Sequence, residues 1–233
     1  MTYPSLAAAH AALRPMLLSP GKPFPAAARL ALAPGSHPTI PLHVQGSKHR
    51  AVFSVAPDYL GVQTAEGLYR LSLSPDGYNV FRRELGWEYP CPGIVRAVWS
   101  SATTVLPLFT QSTRDVDACL RHQTNVAAAL QRKPAGPGFV VGAQKDVVVG
   151  RGKPRHGGKD RVVIYGWTFS KTGVPFQTVF DKHSRGYIDY SQGWRPVHQT
   201  VQRDGESVSY QELLLNPSVT RDLFGEEYTW TTY

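Results

Sequence analysis

Three stretches of the chain carry hydrophobic residues at helical spacing. The first helix is predicted to begin after Ser74, a capping residue followed by a proline, and to end at Gly86. A second helix is predicted after Pro92. The third and longest begins with Thr113 as its N-cap and ends before Pro134.

Short hydrophobic runs bounded by glycine are typical of β-strands, and they dominate the second half of the chain. The predicted strands are residues 51–55, 67–73, 139–141, 147–149, 162–166, 176–180, 186–190 and 196–202. Residues 170–173 are predicted to form a hairpin turn, and two short helices are predicted over 210–215 and 217–224. Helices followed by strands indicate an α+β fold: a mostly antiparallel sheet or half-barrel packed against two or three helices.

The N-terminal region has a different pattern. Eight prolines fall within residues 1–49, and they exclude long helices there, although 5–13 can form a short one. We therefore predict an irregular, Pro-rich, basic arm over residues 1–49 and a single α+β domain over residues 50–233.

Composition supports a globular chain of about one domain. The 233 residues are 42% hydrophobic and 18% charged, which excludes a collagen, a coiled coil and a multispan membrane protein. There is no signal peptide pattern and no run of 18 apolar residues, so no membrane span is predicted and the default location is the cytoplasm. Two cysteines cannot form a disulfide framework or a four-cysteine zinc site, and no metal or cofactor is predicted.

The net charge of +8 is unevenly distributed. Residues 1–57 hold five basic groups and no acid, whereas residues 204–233 hold six acids and one arginine. A dense basic run within a glycine-rich segment is a candidate polyanion-binding patch, formed by Arg151, Lys153, Arg155, Lys159 and Arg161. A solvated loop is the structural alternative, and the absence of interleaved aromatic residues disfavours nucleic acid without excluding it.

The most suggestive polar segment lies between residues 182 and 193. If it forms a strand, His183 and Asp189 are six positions apart and face the same side, as a base and its orienting carboxylate or as two metal ligands. Ser191 follows closely, while Gln192 stands where a histidine would complete a ligand set. A polar loop is the alternative. A second polar pair, Lys145–Asp146, stands at the start of another predicted strand.

Cys91 offers a different chemistry. It directly precedes a predicted helix, and a helix N-terminus lowers the pKa of a thiol. The segment CPGIVRAVW resembles the nucleophile segment of NlpC-like peptidoglycan amidases, which have a papain fold, and 161–166 resembles their histidine-bearing strand. Asp160 and Arg161 stand where that histidine is expected. The alternative is a buried structural cysteine, which is also the interpretation of Cys119 on the third helix.

A second resemblance covers about residues 52–223. The chain is similar to an uncharacterised bacterial family in SVAPDYL (54–60), LSLSPDG (71–77), IVRAVWSSA (94–102), VVGAQKDVVV (140–149), RVVIYGW (161–167), GVPFQ (173–177) and HSRGYIDYSQG (183–193). The last motif of that family reads DYSHG, with a histidine at the place of Gln192. The resemblance implies a polar centre that does not include Cys91 and consists of Lys145, Asp146, His183, Asp189 and Ser191.

Three functions remain open from the sequence, which does not decide whether the protein is an enzyme. The first is a hydrolase of amide or ester bonds, for example in the cell wall, with His183 as base, Asp189 orienting it, Ser191 or a water as nucleophile and Lys145 stabilising the oxyanion. The second is a papain-like cysteine amidase that uses Cys91 with His183. The third is a non-enzymatic assembly or binding subunit, as in a virion or an injection machine, in which the basic arm of one copy pairs with the acidic tail of another.

Overall fold

The computed structural model describes residues 2–17, 38–150, 155–156, 159–169 and 172–228. Within them the helices are α1 (Leu6–Leu17), α2 (Pro75–Leu85), α3 (Pro92–Ser100), α4 (Val116–Arg132), α5 (Tyr210–Leu214) and α6 (Pro217–Phe224). The strands are β1 (Ile40–Gln45), β2 (Arg50–Val55), β3 (Gly61–Thr64), β4 (Gly67–Arg70), β5 (Trp87–Glu88), β6 (Ala102–Val105), β7 (Phe139–Val141), β8 (Lys145–Val147), β9 (Arg155–His156), β10 (Lys159–Thr168), β11 (Pro175–Ser184), β12 (Gln192–Gly193), β13 (Val197–Arg203) and β14 (Glu206–Ser209).

Two sheets organise the fold. The first has the strand order β1-β2-β13-β14, with β5 also paired to β13, and the second has the order β11-β10-β8-β12, with β9 paired to β10. The pairings in both sheets are antiparallel except that between β8 and β12. The predicted α+β class with mostly antiparallel sheets is confirmed. No helix in the described ranges is long and apolar enough to cross a membrane.

Local capping signals explain where the helices begin and end. Helix α2 begins at Ser74, whose hydroxyl accepts a hydrogen bond from Gly77 N at 3.3 Å, and it ends at Gly86 in the left-handed conformation. Helix α4 begins two residues later than predicted, because the carboxylate of Asp115 accepts the capping hydrogen bond from Ala118 N. Thr113 instead accepts a hydrogen bond from Arg121.

The predicted N-terminal arm is regular at both of its described ends. Helix α1 extends past the predicted 5–13 and buries Leu6, Leu13 and Leu17 in the core. Strand β1 pairs with β2 in unbroken register from Ile40 opposite Val55 onwards. The predicted boundary at residues 49 and 50 therefore falls in the turn of a hairpin, and the described parts of the arm belong to the folded body.

The acidic C-terminal stretch meets the basic N-terminal region within one chain. Asp222 accepts hydrogen bonds from the backbone N–H groups of Ser47, Lys48 and His49 at 2.8–3.0 Å, in the turn between β1 and β2. These donors, with the Ser47 hydroxyl first among them, hold the pKa of Asp222 well below its usual range. This intramolecular contact occupies a carboxylate that was predicted to pair with a second copy.

The segment 186–190 is not a strand, and that prediction is wrong. The chain turns after β11, where Tyr187 N donates to Ser184 O at 2.9 Å. The Asp189 carboxylate then accepts a hydrogen bond from Ser191 N, two residues further on. This backbone donor is therefore bonded to a side chain and not to a neighbouring strand. Strand β8 also lies two residues earlier than predicted, at Lys145–Val147, and β4 ends at Arg70.

The predicted hairpin connects β10 and β11. Ser170 and Lys171 lie outside the described residues, while the flanking Phe169 N donates to Val174 O at 2.9 Å and Gly173 has a φ of 69°. The hairpin carries exposed hydrophobic side chains, among them Phe169 and Phe176.

Candidate functional site

Asp189 lies at the centre of a buried polar cluster between β8 and the loop before β12. Its Oδ2 accepts a hydrogen bond from Lys145 Nζ at 2.7 Å, and its Oδ1 accepts from Ser191 N at 2.8 Å and from Ser191 Oγ at 2.6 Å. Burial acts to raise the pKa of Asp189, but the Lys145 ammonium and the Ser191 donors outweigh it and the net shift is downward. Asp189 is therefore a carboxylate at neutral pH.

The parallel pairing of β8 with β12 brings these residues together. Lys145 N donates to Ser191 O at 2.6 Å, which aligns the start of β8 with the loop that carries Asp189. Lys145 Nζ also lies 5.8 Å from the ring centroid of Trp167 on β10, so an aromatic face covers the cation on one side. Lys145, Asp189 and Ser191 were predicted to lie together, and the structure brings them into contact.

His183 meets this cluster through Tyr187. The imidazole is stacked on the Tyr187 ring, with the centroids 3.6 Å apart and the planes at 5°. The Tyr187 hydroxyl donates to Asp189 Oδ2 at 3.0 Å. The premise that His183 and Asp189 share one face of a strand is wrong, because only His183 is on a strand. Among the described residues, the Tyr187 side chain connects His183 to Asp189 through its ring and its hydroxyl.

The electrostatics leave a neutral histidine at the edge of the cluster. Partial burial and the Lys145 charge lower the pKa of His183, and the Asp189 charge offsets only part of that. Burial and the negative charge of Asp189 raise the pKa of Tyr187 to about 12, so its hydroxyl keeps its proton and donates it.

The sequence did not indicate Arg114, which stands in the loop before α4. Its side chain is exposed, and its positive charge lowers the pKa of both His183 and Tyr187. Tyr187 was equally absent from the predicted site, although it lies between two residues that were in it. The only signal for Tyr187 was an aromatic residue inside the polar segment, and no local pattern pointed to Arg114.

His122 on α4 holds the entrance to β8 in place. Its Nε2 lies 2.6 Å from Ala143 O and its Nδ1 lies 3.1 Å from Phe109 O, and because a neutral imidazole has one N–H, it donates to one of these two carbonyls. Burial lowers the pKa of His122, while the two carbonyl contacts act in the opposite direction. The contact with Ala143 O lies two residues before Lys145.

Asp146, the neighbour of Lys145, lies on the other side of β8. It is 3% exposed, it contacts the Tyr59 hydroxyl at 3.1 Å, and its Oδ1 is 4.0 Å from Arg195 Nε. Burial raises the pKa of Asp146 to about 6, against the opposing effect of the Arg195 charge. Asp146 is therefore apart from the cluster around Asp189, to which the sequence had assigned it.

Cys91 lies at the N-terminus of α3, as predicted, but it does not have the predicted electrostatics. The side chain is fully buried, and burial raises the pKa of the thiol to about 11 despite hydrogen bonding with Ile94 N and the Tyr210 hydroxyl. Within the described ranges no hydrogen bond joins Cys91 to His183. The expectation of a lowered thiol pKa is wrong, because burial exceeds the effect of the helix end, and Cys91 is a buried cysteine as the alternative interpretation had it. Cys119 is buried in the core, as predicted.

Gln192 is buried in β12, at the place where the resembled family has a histidine. Its Nε2 donates to Leu73 O at 2.9 Å, and its backbone oxygen accepts from Gln144 Nε2 at 3.0 Å. The Gln192 side chain is therefore held inside the core by this hydrogen bond to Leu73. In the described part of the chain no group of three or more His, Cys, Asp and Glu side chains could hold a metal ion.

Only part of the basic run lies within the described residues. Arg151 and Lys153 lie outside the described residues, and of Arg155 and Lys159 only the backbone in β9 and β10 is described. Arg161 donates from Nη1 to Lys182 O at 2.9 Å and so ties β10 to β11. Polyanion binding by this run stays a prediction.

Comparison with known proteins gives no match. No family model matches the sequence, and no curated protein or solved structure is significantly similar to the chain.

Proposed function

We propose that the protein hydrolyses an amide or ester bond, with His183 as the general base that activates a water molecule. The observation that carries this proposal is the position of His183. Its half-buried ring is stacked at 3.6 Å on Tyr187, whose hydroxyl is held by the carboxylate of Asp189. An imidazole that is accessible, oriented and neutral at pH 7 meets the main requirements for a general base.

The neighbouring groups divide the remaining tasks. Arg114 is the exposed cation beside His183 and Tyr187, and we assign it the stabilisation of the negative charge that develops on the carbonyl oxygen. The buried pair of Lys145 and Asp189 acts through Tyr187 and is a positioning element. It keeps the aromatic platform under His183 in one orientation.

The reaction needs no covalent intermediate with the protein. The water oxygen attacks the carbonyl carbon while His183 takes one water proton, which gives a tetrahedral intermediate with its negative oxygen beside Arg114. The carbon–nitrogen or carbon–oxygen bond to the leaving group then breaks, and the imidazolium returns the proton to the leaving amine or alcohol.

Neither Ser191 nor Cys91 is suited to be the nucleophile. Ser191 is 1% exposed, and its hydroxyl proton is committed to Asp189 at 2.6 Å. Cys91 is fully buried and, with a pKa of about 11, holds its thiol proton at neutral pH. A water on the exposed side of His183 avoids both obstacles.

The net charge of +8 favours a negatively charged polymer as the substrate, of which peptidoglycan is one. Hydrolysis should be measured on two substrates: release of soluble fragments from purified peptidoglycan, and a chromogenic p-nitrophenyl ester. His183→Asn should reduce the rate by roughly 100-fold or more, and Arg114→Gln by a smaller factor. Asp181→Asn, an exposed change two positions before His183 on the same strand, is the matched control and should leave the rate unchanged.

The proposal is wrong if the wild-type protein hydrolyses neither substrate, or if His183→Asn retains the wild-type rate. Replacement of Cys91 by alanine distinguishes the papain-like alternative, since full activity in Cys91→Ala excludes a cysteine nucleophile.

A further inference from the structure

A second polar site lies on the other side of β8 from the Asp189 cluster. It is a pocket beneath α3, walled by Trp99 of α3 and by Trp167 and Thr168 at the end of β10, with Asp146 and Arg195 among its lining residues. Its volume is about 250 Å³ with the open mouth included, and its enclosed part is close to the size of a single water molecule. One small group, such as a hydroxyl, fits inside.

The carboxylate of Asp146 lacks hydrogen-bond donors. Its Oδ1 is buried and has no hydrogen-bond partner in the described part of the chain. Its Oδ2 lies 3.1 Å from the Tyr59 hydroxyl, but that hydroxyl has a single proton and lies closer, at 2.7 Å, to Gln144 O. A carboxylate at 3% exposure is therefore short of at least one donor, and a buried polar atom without a partner is costly.

Arg195 does not supply that donor. Its Nη1 donates to Ala56 O at 2.9 Å and its Nη2 donates to Val140 O at 2.6 Å. Its Nε is 4.0 Å from Asp146 Oδ1, which is too far for a hydrogen bond. A hydroxyl oxygen about 2.8 Å from both atoms would bridge this gap, donating to the carboxylate and accepting from the guanidinium.

Part of the pocket lining is aromatic, and from Trp167 a chain of aromatic contacts leads to exposed side chains. Phe176 packs edge-on against Trp167 with 5.5 Å between the centroids, and Phe169 packs edge-on against Phe176 at 5.4 Å. Phe176 and Phe169 are 49% and 44% exposed. Trp167 has a φ of 51°, which is uncommon for an aromatic residue and places strain in the strand at the pocket wall.

We propose that this pocket receives a hydroxyl group of a neutral, polyhydroxylated ligand, namely a saccharide, whose ring lies over the aromatic surface at the mouth. A hydroxyl supplies the donor that Asp146 Oδ1 lacks, and its oxygen can face the Arg195 guanidinium without repulsion. An ammonium group cannot accept from Arg195, and its positive charge would be placed beside that guanidinium. The site is separate from His183 and does not depend on the proposed hydrolysis.

The test is a titration of tryptophan fluorescence and of heat with two probes, the trimer of N-acetylglucosamine and n-butylamine. We expect saturable binding of the trimer and none of butylamine. Asp146→Asn should weaken binding of the trimer about 10-fold, because the amide cannot replace a charged acceptor. Trp99→Leu changes a half-exposed residue of the pocket wall and should also weaken binding of the trimer. It is the second test of the pocket if Asp146→Asn does not fold. Asp181→Asn is the control.

Several results would overturn the proposal. These are no saturable signal up to about 20 mM trimer, equal affinity in wild type, Asp146→Asn and Trp99→Leu, or binding of butylamine in place of the trimer. His183→Asn separates the two sites, because it should reduce hydrolysis by roughly 100-fold or more and leave the affinity for the trimer unchanged. If the wild type binds the trimer but does not hydrolyse either substrate, the role of His183 is wrong. If it hydrolyses a substrate but does not bind the trimer, the role of the pocket is wrong.

Discussion

Lys145 and Asp189 form a buried ion pair, with 2.7 Å between Nζ and Oδ2 and less than a tenth of either side chain exposed. The next residue on the strand, Asp146, lies on the other side of β8 near Arg195. Because side chains alternate along a strand, two adjacent charges serve two separate environments. We therefore expect substitutions of Lys145 and of Asp146 to change the stability of the protein and its pH dependence in different ways.

Loss of one partner of the Lys145–Asp189 pair should strongly destabilise the fold. Lys145→Met or Asp189→Asn leaves the other group buried without its partner, and we expect a loss of about 3–5 kcal/mol in the free energy of unfolding. The double variant Lys145→Met/Asp189→Leu should recover part of this loss. Urea unfolding at pH 7 measures it.

The exposed Arg121–Asp115 pair provides the control for that experiment, since about half of each side chain is accessible to solvent. Arg121→Met should have a much smaller effect, because water screens an exposed pair. Equal losses for Arg121→Met and Lys145→Met would contradict the importance of the buried pair.

Asp146 should make the protein more stable in mild acid. Its pKa in the folded protein is raised to about 6, against 3.8 as the ordinary value, so the folded state binds the proton more tightly than the unfolded chain. As the pH falls from 7 to 5, this carboxyl alone should add about 1 kcal/mol to the free energy of unfolding. Asp146→Asn should remove that part of the pH dependence, as measured by urea unfolding between pH 5 and 7. If the free energy of unfolding of the variant changes with pH as steeply as that of the wild type, the pKa of Asp146 is not raised by burial.

The pH dependence of hydrolysis should report the neutral His183. The rate should rise with pH through a midpoint below 6.5, because burial and the Lys145 charge lower the pKa of this imidazole. Arg114→Gln should move the midpoint upward, since the Arg114 charge also lowers that pKa. A midpoint above 7 in the wild type would be incompatible with the assignment.

Cys91 should be unreactive in the folded protein. Its thiol is fully buried with a pKa of about 11, so the thiolate that reacts with iodoacetamide is scarce at pH 8. We expect labelling slower than that of a free thiol by well over 10-fold in the native state, and rapid labelling in urea. Rapid native labelling at Cys91, located by mass spectrometry, would contradict the described burial.

Gly193 in β12 should not tolerate a side chain. A Cβ atom there would lie 2.5 Å from Gln144 Oε1 and 2.7 Å from Tyr59 Cδ1. Gly193→Ala should therefore cost roughly 1–3 kcal/mol of stability, because both neighbours are buried and held by hydrogen bonds. Gly136→Ala, where nothing lies within 4 Å, is the matched control and should be close to neutral in thermal unfolding.

Helices and their caps could be predicted from the sequence because their signals are local. Ser74 and Gly86 mark the ends of α2, and Asn216 with the proline after it starts α6, as predicted. A capping hydrogen bond joins residues three positions apart, so a few neighbouring residues determine it. The α+β class follows from the same local patterns of spacing. The prediction of Thr113 as the cap of α4 was wrong, because Asp115, a second suitable capping residue, stands two positions later.

The candidate site was predictable only in part. Lys145, Asp189 and Ser191 are in contact, as the resemblance implied, whereas the strand over 186–190 that was expected to place His183 and Asp189 on one face does not exist. That segment forms a loop because Asp189 binds the backbone of Ser191, a contact that competes with strand pairing.

Tertiary structure alone decided which groups share an environment. The sequence by itself determined the helices, the class of fold and a set of polar residues. It contained no signal that Arg114 would lie beside His183 or that Arg195 would be the charge nearest Asp146. Burial and charge proximity depend on contacts between residues tens of positions apart, and those contacts exist only after the sheets have formed.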